Sequence, residues 1–160
     1  MIQIQPIQNS DNVALTHIVR QALKAYQLDI PGTAYFDPEL SDLSSFYQAS
    51  SKRQYFVAKS DNGVLLGGNG IAEYDMTNQV AELQKLYLIQ SARGHHLSYQ
   101  LLDAAISFAK GAGYKKVYLE THHNLKAAIH TYHKYGFTEL DHPLNKGTHS
   151  AMDRFFVISI

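Results

Sequence analysis

The sequence predicts a single α+β domain, a mixed α/β fold whose mostly antiparallel sheet of about seven strands is flanked by about four helices. Its 160 residues are typical of one domain, so we treat residues 1–160 as one unit. Alternating strand and helix patterns follow each other as β-α-α-β-β-β-α-β-α-β-β. An Asn62-Gly63 turn indicates an antiparallel hairpin, and one strand–helix–strand crossover near residues 83–119 adds a parallel pair.

The N-terminal elements are a strand and two helices. Apolar and polar residues alternate over residues 2–5, which predicts a strand that ends at Pro6. Capping side chains precede an apolar periodicity that predicts a helix over residues 12–25. Proline and glycine then indicate a loop, and a second helix is predicted over residues 38–48.

Three strands are predicted in the middle of the chain, over residues 55–59, 64–72 and 80–88. The second contains Gly67-Gly68-Asn69-Gly70. Glycines within a strand indicate a bulge or a close backbone approach, and we expect a bulge here that opens room for a substrate.

The C-terminal part alternates helices and strands. Leu97, Leu101, Ala105 and Phe108 lie on one apolar helical stripe that ends near Lys110-Gly111. The remaining predicted elements are a strand over 116–120, a helix over 125–135, a strand from 137 to 140, a polar loop over 141–150 and a last strand over 155–160.

Composition narrows the functional class. Fourteen basic residues balance fourteen acidic residues, so charge predicts neither a nucleic-acid partner nor a membrane surface. The chain has no cysteine, which excludes disulfides and a thiol nucleophile. No apolar stretch approaches the ~20 residues that span a bilayer, and no signal peptide is indicated at the N-terminus. We expect a cytoplasmic protein.

The most informative segment is residues 86–98, where an apolar strand leads into the turn Arg93-Gly94-His95-His96 and a helix that opens at Leu97. The first N–H groups of a helix have no partner within it, and its dipole is positive at that end. A strand followed by such a turn is a ready site for a phosphate or pyrophosphate.

Three separated blocks resemble the GNAT superfamily of N-acetyltransferases. The turn at residues 93–98 is similar to the superfamily's pyrophosphate loop, commonly R/Q-x-x-G-x-G/A. The other two blocks are Tyr118-Leu119-Glu120-Thr121 and residues 128–137, AIHTYHKYGF, which are similar to the superfamily's later strand and its A-i-x-l-Y-x-k-x-G-F block. The order of elements also fits over nearly the whole chain.

The resemblance implies acetyl-CoA as co-substrate, no metal, and transfer of an acetyl group to a primary amine of a small molecule or protein. The amine would attack directly in a ternary complex. A homodimer is compatible with the resemblance but is not required by it. The implied cofactor-binding residues are Leu86, Tyr87, Leu88, Arg93, Gly94, His95, His96, Leu97, Ser98 and Asn124. Asn124 reads equally well as a helix cap.

The resemblance also implies the acid and base. Tyr132 aligns with the superfamily's tyrosine, whose phenol can protonate the leaving thiolate. Glu82 is the expected base, directly or through a water, because the alternation Glu82, Gln84, Leu86 places it beside Gln84 on the strand that enters the site. Glu120 is the competing base.

Two residues depart from the loop pattern, and the histidines need a separate account. His96 replaces the middle glycine and Ser98 the last glycine or alanine, although a helix N-terminal position does not itself demand glycine. A partly protonated His96 would favour the phosphate charge. His122, His123, His130 and His133 show no H-E-x-x-H spacing, so we expect solvated histidines.

Two functions other than acetyl transfer are compatible with the same fold. One is a non-catalytic acyl-CoA-binding or regulatory module, and the other is a scaffold that binds no nucleotide.

Overall fold

The computed structural model describes residues 1–145, 147 and 149–160. Within those ranges seven strands form one sheet in the order β1-β2-β3-β4-β5-β7-β6. The strands are β1 (Ile2–Pro6), β2 (Gln54–Ser60), β3 (Leu65–Asp75), β4 (Val80–Leu88), β5 (Lys116–Thr121), β6 (Thr138–Leu140) and β7 (Arg154–Ser159). All neighbouring pairs are antiparallel except β4 and β5. The predicted mixed, mostly antiparallel α/β fold is confirmed.

Four α-helices in the described ranges cover the two faces of this sheet: α1 (Asn12–Ala25), α2 (Leu43–Gln48), α3 (Leu97–Gly111) and α4 (Lys126–Tyr135). The apolar stripes of α1 and α2 pack with Tyr55, Val57 and Ala72. Those of α3 and α4 pack on the opposite face, with Ala81 and Leu83. No helix in the described ranges has both the length and the apolar character that crossing a membrane requires.

The sheet opens between β4 and β5. Their parallel pairing covers only Val80–Glu82 against Lys116–Tyr118, although β4 continues to Leu88. Beyond Glu82 the two strands diverge, while β5 stays paired with β7 through Thr121. The divergence leaves one edge of β4 free of a neighbouring strand and creates a cleft below α3 and α4.

The second predicted helix, over residues 38–48, is two elements. A 3-10 helix covers Pro38–Asp42, and α2 begins only at Leu43. Asp42 has φ −143° and ψ 56°, so it interrupts the helical backbone and becomes the residue before α2. The apolar positions predicted inward, such as Leu40 and Leu43, are buried nonetheless.

A β-bulge in β4 makes part of the predicted alternation wrong. Lys85 has φ +51°, and the register passes from Gly70 opposite Gln84 to Gly68 opposite Tyr87. One extra residue on β4 reverses the side-chain alternation after Gln84. Leu86 therefore packs with the apolar side chains under α3, on the face opposite Glu82 and Gln84.

The close backbone approach predicted at the glycines of β3 is confirmed, but the extra residue opposite Gly68 and Gly70 is on β4, and the space beside the glycines holds tyrosine rings rather than room for a substrate. A Cβ at Gly70 would lie 2.7 Å from Tyr47 and Tyr55 atoms, and one at Gly68 would lie 2.5 Å from a Tyr55 ring carbon. The Tyr55 hydroxyl reaches the bulge of β4 and donates a hydrogen bond of 2.7 Å to the carbonyl oxygen of Lys85. The glycines thus allow tyrosines to support the bulge.

Candidate active site

The opening between β4 and β5 is a cleft of about 190 Å³. Its walls come from the end of β4, the N-terminus of α3, the end of β5 and one face of α4. The predicted site residues that line it are Leu86, Tyr87, Leu88, Arg93, Gly94, Ser98, Glu120 and Tyr132. Residues distant in sequence therefore converge on one long, half-open groove.

Unpartnered backbone N–H groups form the head of the cleft. No hydrogen bond within the described ranges uses the N–H groups of residues 94–98, which enter and begin α3. Gly94 has φ +79°, and nothing lies within 4 Å of where its Cβ would be. Five adjacent free donors at a positive helix end form a cradle suited to a pyrophosphate.

His96 and Ser98 fit this turn despite their departure from the loop pattern. His96 has φ +60° and ψ 14°, the left-handed conformation that glycine adopts most easily, which explains a glycine preference at this position. Its exposed ring lies beside Tyr99, with centroids 5.8 Å apart, and does not line the cleft. His95 is also exposed, whereas Leu97 is buried and anchors the first turn of α3.

Arg93 turns back over the end of β4. Its guanidinium donates to the Tyr26 hydroxyl at 3.3 Å and to the carbonyl oxygen of Leu88 at 3.2 Å. The positive charge thus lies along the cleft wall beside the free N–H groups, and two of its donors already have protein partners.

Tyr132 lies inside the cleft, on α4. The side chain is 6% exposed and packs against Phe137 and Phe156, with ring centroids 5.7 Å away in each case. Burial raises the pKa of the phenol well above its usual value, so the group stays protonated. Its hydroxyl has no hydrogen-bond partner among the described residues and is available to donate a proton to a bound group.

A smaller pocket of about 40 Å³ adjoins the cleft and contains the predicted base. Glu82, Gln84, Lys85, Glu120, His149 and Met152 are among its lining residues. The Tyr47 hydroxyl donates to Gln84 at 2.6 Å, and the Gln84 amide donates to Glu82 at 2.7 Å. Burial raises the pKa of Glu82, which makes it a stronger base than an ordinary carboxylate.

Glu120, the alternative base, lies at the junction of cleft and pocket. Its Oε2 accepts a hydrogen bond of 2.7 Å from the Tyr118 hydroxyl. That bond and the position of Glu120 at the end of β5 leave its other oxygen facing Gly147, whose Cβ would lie 3.3 Å from Oε1. Both carboxylates therefore face the same small space.

The sequence analysis missed two residues that line this pocket, Lys85 and His149, and Asp37, which contacts both of them. Lys85, at the bulge, is 2% exposed, and its Nζ lies 2.8 Å from Asp37 Oδ2 and 3.6 Å from Glu39 Oε1. The other oxygen of Asp37 lies 2.8 Å from His149 Nε2. In the sequence, Asp37-Pro38 indicates a turn and the segment before β7 a polar loop. Neither pattern indicates a long-range ion pair.

Asn124 lies outside the residues that line the cleft. Its side-chain amide donates to the carbonyl oxygen of Tyr26 at 2.9 Å, which ties the start of α4 to the end of α1. The residue that caps α4 is Leu125 rather than Asn124. This geometry gives Asn124 a structural task, and its cofactor role stays a prediction.

His122, His123 and Asp153 form the one group of potential metal ligands found in the described ranges, with ligand atoms within 4.8 Å of one another. The backbone N–H of Asn124 donates to His122 Nδ1 at 3.1 Å, so the neutral ring carries its proton on Nε2, which faces Asp153 at 4.0 Å. Metal binding through Nε2 would need that proton on Nδ1, against the Asn124 N–H. This hydrogen bonding favours a cluster in which His122 donates toward Asp153, and His123 also contacts Asp153.

Comparisons with known proteins agree with this geometry. The family model described as "Acetyltransferase (GNAT) family" matches residues 19–137. An uncharacterised N-acetyltransferase of Escherichia coli (strain K12), YjgM, is 35% identical over 136 residues, which cover 84% of this chain and 80% of that protein.

Two solved structures share the fold. A GNAT-family acetyltransferase from Staphylococcus aureus Mu50 superposes with a TM-score of 0.86 at 22% identity, covering 99% of both chains. The acetyltransferase yncA of Salmonella typhimurium, solved with its cofactor acetyl-CoA, has a TM-score of 0.76 at 18% identity and covers 99% of this chain and 94% of its own. From the family match and this fold, the chain belongs to the acetyltransferase (GNAT) family.

Proposed function

We propose that the protein transfers an acetyl group from acetyl-CoA to a primary amine of a small molecule or protein. The observation that carries the proposal is the continuous path from the free N–H groups of residues 94–98, along the unpaired edge of β4, to Tyr132 and the Glu82 pocket. The Salmonella relative, solved with acetyl-CoA, supports the choice of co-substrate.

The residues present fit acetyl-CoA. The free N–H groups of residues 94–98 and the dipole of α3 would hold the pyrophosphate, with the Arg93 charge beside them. The edge of β4 at Leu86, Tyr87 and Leu88, which has no strand beside it, would hold the pantetheine arm as an additional strand. Bound there, acetyl-CoA supplies the activated acetyl group as a thioester.

Two side chains of the cleft and its adjoining pocket would carry out the proton transfers. An amine with a pKa near ~10 is mostly an ammonium ion at neutral pH and must lose a proton before it attacks. Glu82, its pKa raised by burial, would accept a proton directly or through a water. Tyr132, kept protonated by burial, would donate one to the departing sulfur.

The small pocket predicts how the acceptor enters. The pocket, about 40 Å³, would receive the amino group of the acceptor beside Glu82 and Glu120. The chain contains no cysteine, which supports direct attack by the amine rather than an acyl-thiol intermediate.

The test is an acetylation assay with acetyl-CoA and a panel of alkyl amines, diamines, amino acids and a lysine peptide. We expect turnover of at least one amine and a loss of kcat of about 10²-fold in Tyr132→Phe, since general acid catalysis contributes that much or more. Tyr135→Phe is the matched control, because this tyrosine lies on the same helix and bonds to Asp103.

The alternative is a non-catalytic acyl-CoA-binding module. Tight acetyl-CoA binding without turnover of any amine in the panel would favour it. Unchanged kcat in Tyr132→Phe would remove the acid role of Tyr132 but leave acetyl transfer in place.

A further inference from the structure

The side chains of Lys85, Asp37 and His149 form a series of contacts that reaches the small pocket containing Glu82, here called the acceptor pocket, and the proposed function does not use them. Asp37 lies between two 3-10 helices, Lys85 lies at the bulge of β4, and His149 lies in the loop before β7. We propose that His149 is the catalytic base that takes the first proton from the acceptor ammonium, and that Asp37 is the residue that positions it. This inference rests on the proposed acetyl transfer.

The hydrogen bond to Asp37 fixes the tautomer that the task needs. His149 Nε2 lies 2.8 Å from Asp37 Oδ1, so Nε2 donates to the carboxylate. The neutral ring then has its lone pair on Nδ1, and the hydrogen bonds among the described residues leave Nδ1 without a partner. A carboxylate that orients a histidine and stabilises its protonated form is the usual arrangement of a histidine base.

Lys85 keeps Asp37 in its orienting role. The Asp37 side chain is 11% exposed, and its second oxygen lies 2.8 Å from the buried Lys85 ammonium. Lys85 and His149 together lower the pKa of Asp37 against the opposing effect of burial. The carboxylate therefore stays ionised over the pH range in which His149 would exchange protons.

Proton balance calls for more than one acceptor. An ammonium nitrogen has three protons and the product amide has one, so two protons leave nitrogen as the C–N bond forms and the C–S bond breaks. His149 takes the first proton before attack and releases it to solvent. Glu82 takes the second and releases it to solvent, while Tyr132 protonates the sulfur and recovers a proton from solvent. The sum is one amide, one thiol and one released proton.

The charged groups around His149 shift its pKa. Asp37 faces it from the 3-10 segment, Glu82 and Lys85 from β4, and Glu120 lines the same pocket from β5. Burial lowers the pKa of His149, the Asp37 hydrogen bond and charge raise it, Lys85 opposes them, and the net pKa lies above its ordinary value of about 6.5. The contact with Asp37 therefore makes His149 a stronger base than an ordinary imidazole.

Holding the loop does not depend on His149. The Ala151 N–H donates to the carbonyl oxygen of Gly32 at 3.1 Å, and the Asp153 N–H donates to that of Thr121 at 3.0 Å. The Tyr74 hydroxyl accepts from the Asn145 N–H at 2.9 Å. Since these bonds anchor the loop on both sides of residue 149, replacing the imidazole should leave the loop in position.

The experiment compares pH profiles of kcat/KM in wild type, His149→Gln and the control His142→Gln, with acetyl-CoA and the best alkyl amine of the panel. His142 is an exposed histidine of the same loop. At pH 7 we expect His149→Gln to lose about 10²-fold and the control less than twofold. The loss should shrink steadily toward pH 10, because an amine that is already unprotonated in solution no longer needs His149 to remove its first proton.

Two further measurements separate catalysis from folding. Added imidazole should restore part of the activity of His149→Ala, and Asp37→Asn should move the acid limb of the profile to lower pH, because His149 loses the charge that raises its pKa. Acetyl-CoA affinity within twofold of wild type would show that each variant is folded.

The results that would contradict the role of His149 differ from those that would contradict acetyl transfer. A loss in His149→Gln that is the same at every pH, with no imidazole rescue in His149→Ala, would overturn the role of His149 as base. No turnover of any amine by the wild-type protein would instead contradict the proposed function itself.

Discussion

The two sides of the cleft are built from different kinds of group. The cofactor side, residues 86–88 and 93–98, presents mainly backbone: free N–H groups at a helix end and an unpaired strand edge. The acceptor side, which comprises Asp37, Glu82, Lys85, Glu120 and His149, presents charged side chains brought from four separate segments. One side depends on local chain geometry, and the other depends on long-range ion pairs.

This difference has consequences for stability. Backbone donors at a helix N-terminus keep their solvation when no ligand is bound, so the cofactor side costs the fold little. Buried charges must be matched with one another, because an unpaired ion in the interior is strongly unfavourable. A substitution that breaks an ion pair on the acceptor side should therefore destabilise the protein more than a substitution on the cofactor side.

The largest expected effect is at Lys85. Lys85→Met would leave Asp37 and Glu39 without their buried cation, and breaking a buried pair costs about 3–5 kcal/mol. For a chain of this size each kcal/mol corresponds to roughly 2–4 °C in Tm. Thermal unfolding should show a fall of about 10 °C.

Arg93→Met is the matched change on the cofactor side. It removes two hydrogen bonds from a half-buried guanidinium, which are worth about 1 kcal/mol each at most, so its Tm should fall by only a few degrees. Equal losses of Tm in the two variants would contradict the contrast between the two sides.

Ser98→Asp should separate stability from binding. A carboxylate in the first turn of α3 improves the interaction with the helix dipole by about 0.3–1 kcal/mol. The same charge repels a pyrophosphate at the cradle and should weaken acetyl-CoA binding at least about tenfold. Calorimetric titration and thermal unfolding measure the two effects.

Gln100→Asp is the control for that pair of effects. Gln100 is exposed in the same turn and does not line the cleft, so its variant should gain stability without losing affinity. Undiminished acetyl-CoA binding by Ser98→Asp would show that the N-terminus of α3 is not the anion site.

Glu82→Gln should give the smallest change in stability, and in the favourable direction. Burial raises the folded-state pKa of Glu82 above its unfolded value, so the ionised carboxylate opposes folding at pH 8. Glutamine can still accept from Gln84 and is neutral at every pH. We expect a higher Tm at pH 8, no difference near pH 3 where Glu82 is protonated in both states, and lower activity. A Tm of Glu82→Gln below wild type at pH 8 would mean that the carboxylate is stabilised in the fold.

The contrast also explains what could be predicted from sequence. The apolar periodicities of 12–25 and 97–110 and the Asn62-Gly63 turn are local signals, and the elements they predict are present. The helix N-terminus after Arg93 was predictable for the same reason. Its placement beside Tyr132 followed only from the family resemblance.

The rest depends on contacts between distant segments. The bulge at Lys85 is supported by a hydrogen bond from the distant Tyr55, and no residue type in β4 indicates a left-handed backbone there. Because the bulge reverses the alternation, Leu86 was placed on the wrong face. Asp37 and His149 lie 112 positions apart, and neither has a local pattern that marks it as a partner of the other.

The central claim is that the cleft holds acetyl-CoA, and thermal unfolding with acetyl-CoA added, with AMP as the control, tests it most directly. A ligand that binds only the folded state at a hundred times its Kd adds about 2.7 kcal/mol, or roughly 5–10 °C here. We expect that shift with acetyl-CoA, no comparable shift with AMP, and a reduced shift in Ser98→Asp. No shift in wild type at millimolar acetyl-CoA would contradict the account.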